Sequence, residues 1–193
     1  MPQSPGLRER KRQQTRDHLA EVAMSLILEK GYARVTMEEI AEAGGVSRGT
    51  LYAYFPLKEA LVAQFFSVRV AEETRPILEQ LALMPDPLDR LHLFLIGSAW
   101  WAESYKDCYG PFLQYRFNHP ESPECGASPA FIRLIRDAQQ AGRLRRDRTP
   151  ERLREDLYAL MAMAALRWLA GEGSLESQYR DVWDFFIHGA GLP

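Results

Sequence analysis

The sequence is poor in cysteine: Cys108 and Cys125 are the only two among 193 residues. That is too few for a disulfide framework, and neither has companions at zinc-ligand spacing. Two ordinary reduced thiols are expected, with a redox-sensing pair as the alternative. His18, His92, His119 and His188 are scattered along the chain, so no metal site is expected. A glycine-rich phosphate loop after a strand is missing, as are a nucleophile elbow and paired histidines. These absences leave no catalytic residue and no cofactor to assign, and they argue against an enzyme. No apolar run is long enough to span a bilayer and the N-terminus has no apolar h-region, so a cytoplasmic protein without membrane contact is expected. Neither charge is in excess: 24 basic residues face 26 acidic ones, a formal net charge of -2. Overall charge therefore does not announce a nucleic-acid binder.

The distribution of charge is uneven. Arg8, Arg10, Lys11, Arg12 and Arg16, set against Glu9 and Asp17, make a locally basic N-terminal arm almost free of apolar residues. Composition leaves two readings of it open, a solubilising tail and an arm that contacts DNA. Beyond the arm, apolar residues recur at helical spacing to the end of the chain, and an all-α protein is expected. Leu19, Val22, Ala23, Leu26 and Ile27 predict a first helix over about residues 15–30, stopped by Gly31. A long helix over about 58–84 carries Pro76 as a kink, and Pro85-Asp86-Pro87 breaks the chain. The next helix, about 88–106, is apolar nearly all round and reads as the centre of a second domain. Gly110-Pro111 reads as a break and 118–127 as a loop. Ser128-Pro129 supplies the cap and first turn of a helix to about Ala141, Arg143 to Arg148 form a solvated connector, and Thr149-Pro150 open a helix to about Ala170. A last helix covers about 175–188.

The stretch from Gly44 to Lys58 organises the rest. Thr36 and Glu39 stand at capping-box spacing ahead of a short helix that buries Ile40. Gly44-Gly45 turns the chain, and Ser47 caps a second short helix. Leu51 and Phe55, four residues apart, anchor that helix on one face, which leaves Arg48, Tyr52 and the Tyr54/Lys58 end pointing outward. Two short helices joined by a glycine turn make a helix-turn-helix. Residues from about 10 to 61 resemble the DNA-binding domain of the TetR family of bacterial transcriptional regulators. The resemblance rests on Thr15-Arg16, Glu29 to Tyr32, Thr36, Ile40-Ala41, Gly45 to Tyr52, Tyr54-Phe55 and Lys58 to Leu61. Leu57 departs from it, because related sequences place a capping Ser or Asn there, at a local cost of about 1 kcal/mol.

The resemblance implies a helix-turn-helix domain over residues 1–57 and an effector-binding and dimerisation domain over 58–193. It implies base-edge contact or close approach at Arg48 and Gly49, base or sugar-phosphate contact at Thr50 and Tyr52, and phosphate contact at Thr36, Tyr54 and Lys58, with Ser47 at the head of the recognition helix. The implied partners are a palindromic double-stranded operator, a small-molecule effector of unknown identity and a second copy of the chain. For the effector, the aromatic segment around Trp100, Trp101, Tyr105, Tyr109, Phe112 and Tyr115, with Glu103 among them and Met161, forms the candidate apolar site; core filling is the alternative. For the homodimer, the last two helices carry more apolar surface than one core uses, and Met163, Leu166, Tyr179, Val182, Trp183 and Phe186 are the candidate contacts. The expected function is that of a repressor released by its effector. A DNA-binding structural or protein-interaction module without an effector is the alternative.

Overall fold

The computed structural model describes residues 6–120 and 129–190. Helices account for all its regular structure among those residues: α1 (Leu7–Lys30), a short 3-10 turn (Tyr32–Arg34), α2 (Met37–Ala43), α3 (Arg48–Tyr54), α4 (Lys58–Leu81), α5 (Pro87–Glu103), α6 (Lys106–Asn118), α7 (Pro129–Gln140), α8 (Pro150–Leu169) and α9 (Leu175–Ala190). The all-α expectation holds. The Ser128 cap, most of the predicted 118–127 loop and Cys125 lie outside the described residues.

Two expectations need correction. The first helix begins at Leu7, not near Thr15, so the basic arm is helical. Arginine, lysine, glutamine and glutamate are good helix formers, and local bonds assist: Gln13 Nε2 donates to Asp17 Oδ1 at 2.8 Å and Thr15 Oγ1 to the Lys11 carbonyl at 3.0 Å. Gly110-Pro111 is not a break either, since α6 runs through it. The turn comes earlier, at Ser104-Tyr105, whose amides bond back to the Trp100 and Ala102 carbonyls. Pro111 removes one intrahelical bond, and the burial of Cys108, Phe112, Leu113 and Tyr115 on one side of α6 offsets that loss.

The chain divides into two compact units, residues 1–70 with 107–126, and 71–106 with 127–193. In the first, Leu19, Ala23, Met24 and Ile27 of α1 are buried with Ile40 of α2, Leu51 of α3, Phe55, and the Ala60 to Phe66 stretch of α4. α6 adds Phe112, whose ring meets Phe66 edge-on at 4.8 Å. Polar bonds fix the first unit's helices in place. Gln64, itself buried, donates to Asp17 Oδ1 at 2.7 Å and accepts from Arg16 at 3.3 Å, tying α4 to α1.

In the second unit α5 packs on α7 and α9, and α8 on α7 and α9. Leu91, Leu95, Ala99, Ile135, Leu157, Ala164 and Tyr179 are fully or almost fully buried there. Asp86 caps α5 through Leu88 N–H at 2.8 Å, and Thr149 caps α8 through Arg152 N–H at 3.2 Å. Among the described residues no helix is long and apolar enough to cross a membrane, and no cluster of His, Cys, Asp and Glu could hold a metal ion.

Cys108 is 1% exposed, and burial pushes its thiol up to about 12. Because the thiolate is the reactive form, a thiol-alkylating reagent at pH 8 should leave the Cys108 peptide unlabelled in the folded protein and label it in denaturant. Mass spectrometry of the digested protein reads this directly.

Candidate nucleic-acid interface

Thr36 opens the motif with a complete capping box. Its hydroxyl accepts from Glu39 N–H at 3.2 Å, while Glu39 Oε2 accepts from Thr36 N–H at 2.9 Å. The Glu39 carboxyl is held below its usual value, first by that backbone N–H and then by Lys30, 3.2 Å away. The turn after α2 leaves no room for larger residues. A Cβ on Gly44 would stand 2.7 Å from Leu19 Cδ2 and 3.0 Å from the Ile40 carbonyl, and Gly45 has φ of 66°, a region that glycine enters at least cost. Ser47 then caps α3, accepting from Thr50 N–H at 3.1 Å, and its hydroxyl also pairs with the Thr50 hydroxyl at 2.8 Å.

Helix α3 is sharply two-sided. Leu51 and, just past its end, Phe55 are fully buried, whereas Ser47, Arg48, Gly49, Thr50 and Tyr52 are exposed. The first turn thus presents one guanidinium, two hydroxyls, a phenol and a bare backbone to solvent. Arg48 lies 5.6 Å over the Tyr52 ring and pairs with Glu38 at 2.9 Å. Both partners of that ion pair are exposed, where such a bridge is worth about 0–1 kcal/mol, so Arg48 is held in place by little and is available for exchange. Gly49 is the informative residue. A Cβ there would meet nothing closer than Ser47 Oγ at 3.9 Å, and its φ is not in the left-handed region. The fold does not need a glycine inside this helix, where glycine costs about 0.5–1 kcal/mol relative to alanine. Its bare backbone leaves room for the close approach of another surface.

The other end of the motif is more inward than its sequence implies. The expectation that Lys58 points outward is corrected: its Nζ donates to the Tyr32 carbonyl at 2.6 Å and the Val35 carbonyl at 2.7 Å, 4.1 Å from the Tyr32 ring centre. Burial lowers its pKa. One N–H remains for any phosphate. The Tyr32 hydroxyl bonds Glu59, and burial raises that phenol's pKa. Tyr54 is half-buried, with its carbonyl accepting from Arg16 Nη1 at 3.2 Å. Exposed Leu57, just before α4, has no side-chain group to cap that helix, and its carbonyl accepts from Ala60 N–H at 3.2 Å.

The residues expected to bind an effector are divided between the two units. Tyr109, Phe112 and Tyr115 belong to the first, where Tyr109 and Phe112 stand beside Phe66. Trp100, Trp101, Glu103, Tyr105 and Met161 belong to the second. There Trp100 Nε1 donates to Glu176 at 2.8 Å and Trp101 Nε1 to Glu73 at 2.9 Å. Glu103, one of the expected effector-site residues, accepts Leu175 N–H at 2.8 Å and so secures the start of α9. An open polar cleft of about 420 Å³, lined by Arg136, Gln139, Gln140 and Arg146, contains none of the expected residues.

The dimer candidates also separate. Tyr179, Val182 and Phe186 are buried within the second unit and Trp183 stacks on His92 at 4.7 Å; these four serve that unit's own packing. Met163 and Leu166 are 56% and 44% exposed. With exposed Ala159 and Ala170 they form one apolar stripe on α8. Phe185 of α9, 68% exposed, was not singled out from the sequence; its neighbours Phe186 and Ile187 are equally apolar, and only the packing tells which of them faces out.

A short capped helix with a polar, close-approach face, set by a glycine turn against a second helix, defines a helix-turn-helix DNA-binding unit. Residues 19–65 match the family model described as "Bacterial regulatory proteins, tetR family". The chain is 47% identical over 58 residues to the HTH-type transcriptional regulator TcmR of Streptomyces glaucescens, and 35% over 85 residues to AcrR of Shigella flexneri. Those segments are 30% and 44% of this chain and only 26% and 40% of the relatives. The fold similarity is far wider. Thermus thermophilus FadR, a TetR-family repressor whose crystal structure holds lauroyl-CoA, superposes with a TM-score of 0.81 at 25% identity, covering 92% of this chain and 96% of that one. A TetR regulator from Rhodococcus sp. RHA1 superposes with a TM-score of 0.64 at 25% identity, with 89% of this chain and 96% of that one covered. Residues 19–65 are thus similar to the DNA-binding segment of TetR-family regulators, and the fold of the chain is like that of Thermus thermophilus FadR.

Gly49→Ala should separate stability from function. The variant is expected to unfold at equal or higher temperature than the wild type and to bind duplex DNA more weakly, read by thermal denaturation and fluorescence anisotropy on the same preparations.

Proposed function

We propose that the protein is a homodimeric, cytoplasmic transcriptional repressor without enzymatic activity, which binds a palindromic operator through α3 and leaves it when a small molecule occupies the C-terminal body. In this reading residues 1–57 bind DNA, and residues 58–193 hold the effector and the dimer interface. The observation that carries it is the exposed Ser47-Arg48-Gly49-Thr50-Tyr52 face, with a glycine the fold does not require, on a helix otherwise anchored by Leu51 and Phe55. Arg48 is the base-reading residue, because a guanidinium can pair bidentately with a guanine edge for about 1–3 kcal/mol of discrimination. Ser47, Thr50, Tyr52, Thr36 and Tyr54 position the duplex through its backbone, as hydroxyls do. Thermus thermophilus FadR supports the ligand-responsive part, being a repressor of like fold found with lauroyl-CoA.

The dimer is assigned to the exposed stripe of α8 and to Phe185, a self-complementary apolar patch suited to a two-fold interface. Two copies would set their α3 helices in successive major grooves about 34–36 Å apart. An effector that favours a different spacing by about 2.7 kcal/mol weakens operator binding a hundredfold.

Anisotropy titration on duplex DNA from upstream of the gene, against a scrambled duplex, tests the reading. Tight binding to the first alone is expected, and Arg48→Ala should lower the ratio of the two affinities by about 5- to 150-fold for each half-site. Equal and weak binding of both duplexes by the wild type would sink the repressor assignment in favour of an interaction module. Leu166→Glu, at an exposed position, should leave the helix content intact and yield a monomer by light scattering, with operator affinity reduced.

A further inference from the structure

The first two turns of α1 are not accounted for by the fold. Residues 7–14 are exposed throughout and Leu7 is their only apolar member. Their charges also work against the helix they form. Arg8 faces Lys11 and Arg12 at i,i+3 and i,i+4, and Arg12 faces Arg16 in the same way, all like-charge pairs. Cations in the opening turns oppose the helix dipole, and Glu9 is the sole acid in the first turn. Arg8, Arg10, Lys11 and Arg12 have no ion-pair partner among the described residues. This is a helix that lacks its counter-charge.

Its direction is set by Arg16. That guanidinium donates to the Tyr54 carbonyl at 3.2 Å and lies 4.4 Å over the Phe55 ring, so the Arg16 line of α1 meets the C-terminal end of α3. Arg12 and Arg8 continue the same line one and two turns further out, about 6 and 12 Å along the axis, with Lys11 beside them. The ridge is therefore continuous with the end of the recognition helix, at Tyr54.

We propose that Arg8, Lys11 and Arg12 form a backbone clamp that grips phosphates of the operator duplex next to the segment read by α3. The inference rests on the DNA-binding role proposed above and adds a contact surface to it. A duplex phosphate strand is the occupant that fits: it supplies several anions in a row, and guanidinium pairs with phosphate in bidentate geometry. Such contacts carry affinity and salt dependence but no base preference.

The test is the salt dependence of binding by the full chain, with the wild type compared with Arg8→Gln/Lys11→Gln/Arg12→Gln. With three phosphate contacts from each of the two copies on the operator, the clamp contributes about 5.4 to the slope of log affinity against log salt, so between about 50 and 200 mM salt the wild type should lose about 2,000-fold more affinity than the variant. The ratio of upstream to scrambled affinity should not change. Arg8→Lys/Arg12→Lys should keep the wild-type slope. On the wild type itself, hydrogen exchange at residues 8–14 should slow when duplex is added. An unchanged slope in the Gln variant, a changed ratio, or exchange indifferent to DNA would overturn the clamp while leaving the α3 assignment standing. A wild type that binds no duplex would instead remove the underlying DNA-binding role.

Discussion

Helix α3, to which the proposal assigns base recognition, is seven residues long, well short of the length at which a helix persists alone in water. Everything else in the first unit follows from having to hold it. Leu51 and Phe55 are buried to the last per cent, Ser47 closes the front, and the back is pinned where Arg16 bonds the Tyr54 carbonyl and covers the Phe55 ring. Arg16 is in turn braced by Gln64 and so by Asp17. Burial is the largest influence lowering its pKa, followed by Arg12 one turn away. The short helix is held because two longer elements, α1 and α4, are fastened to its end, and such support is what the proposed base-reading role of Arg48 requires.

The cations of the first unit therefore fall into two groups with different tasks. Arg16 and Lys58 spend their hydrogen bonds on carbonyls of neighbouring segments, where neutral partners in a partly buried setting replace water. Arg48 and the arginines of early α1 stay at the surface, either weakly paired or without an acidic partner among the described residues. A charged residue near a helix end thus says little about which task it performs until its hydrogen-bond partners are known.

In the second unit the interior makes its own demands on residues that look like recognition groups. The indoles of Trp100 and Trp101 and the carboxylate of Glu103 are each committed to a partner on another turn or helix. The wide structural similarity, against sequence matches that span only 58 and 85 residues, has a plain cause. A helical core tolerates extensive apolar substitution if pattern and volume are kept. A surface shaped to a polymer of fixed geometry tolerates much less.

Much of the chain was determined by its sequence alone, because the signals are local. The capping box at Thr36 and Glu39, the glycine turn, the Ser47 cap and the Leu51/Phe55 anchor all act within a few residues, and each took the form its spacing implied. The helical starts at Pro87, Pro129 and Pro150 were equally near their sequence marks. Tertiary structure decided what depends on distant partners. Gly110-Pro111 reads as a break until Phe66 receives Phe112. Lys58 looks outward until the Tyr32 and Val35 carbonyls arrive. On α9, Tyr179, Val182, Phe185 and Phe186 are alike in hydrophobicity, and only the arrangement of α5 and α8 against that helix buries three of them and leaves Phe185 to solvent. Periodicity tells that a helix has an apolar face; the position of its neighbours tells which part of that face is already covered.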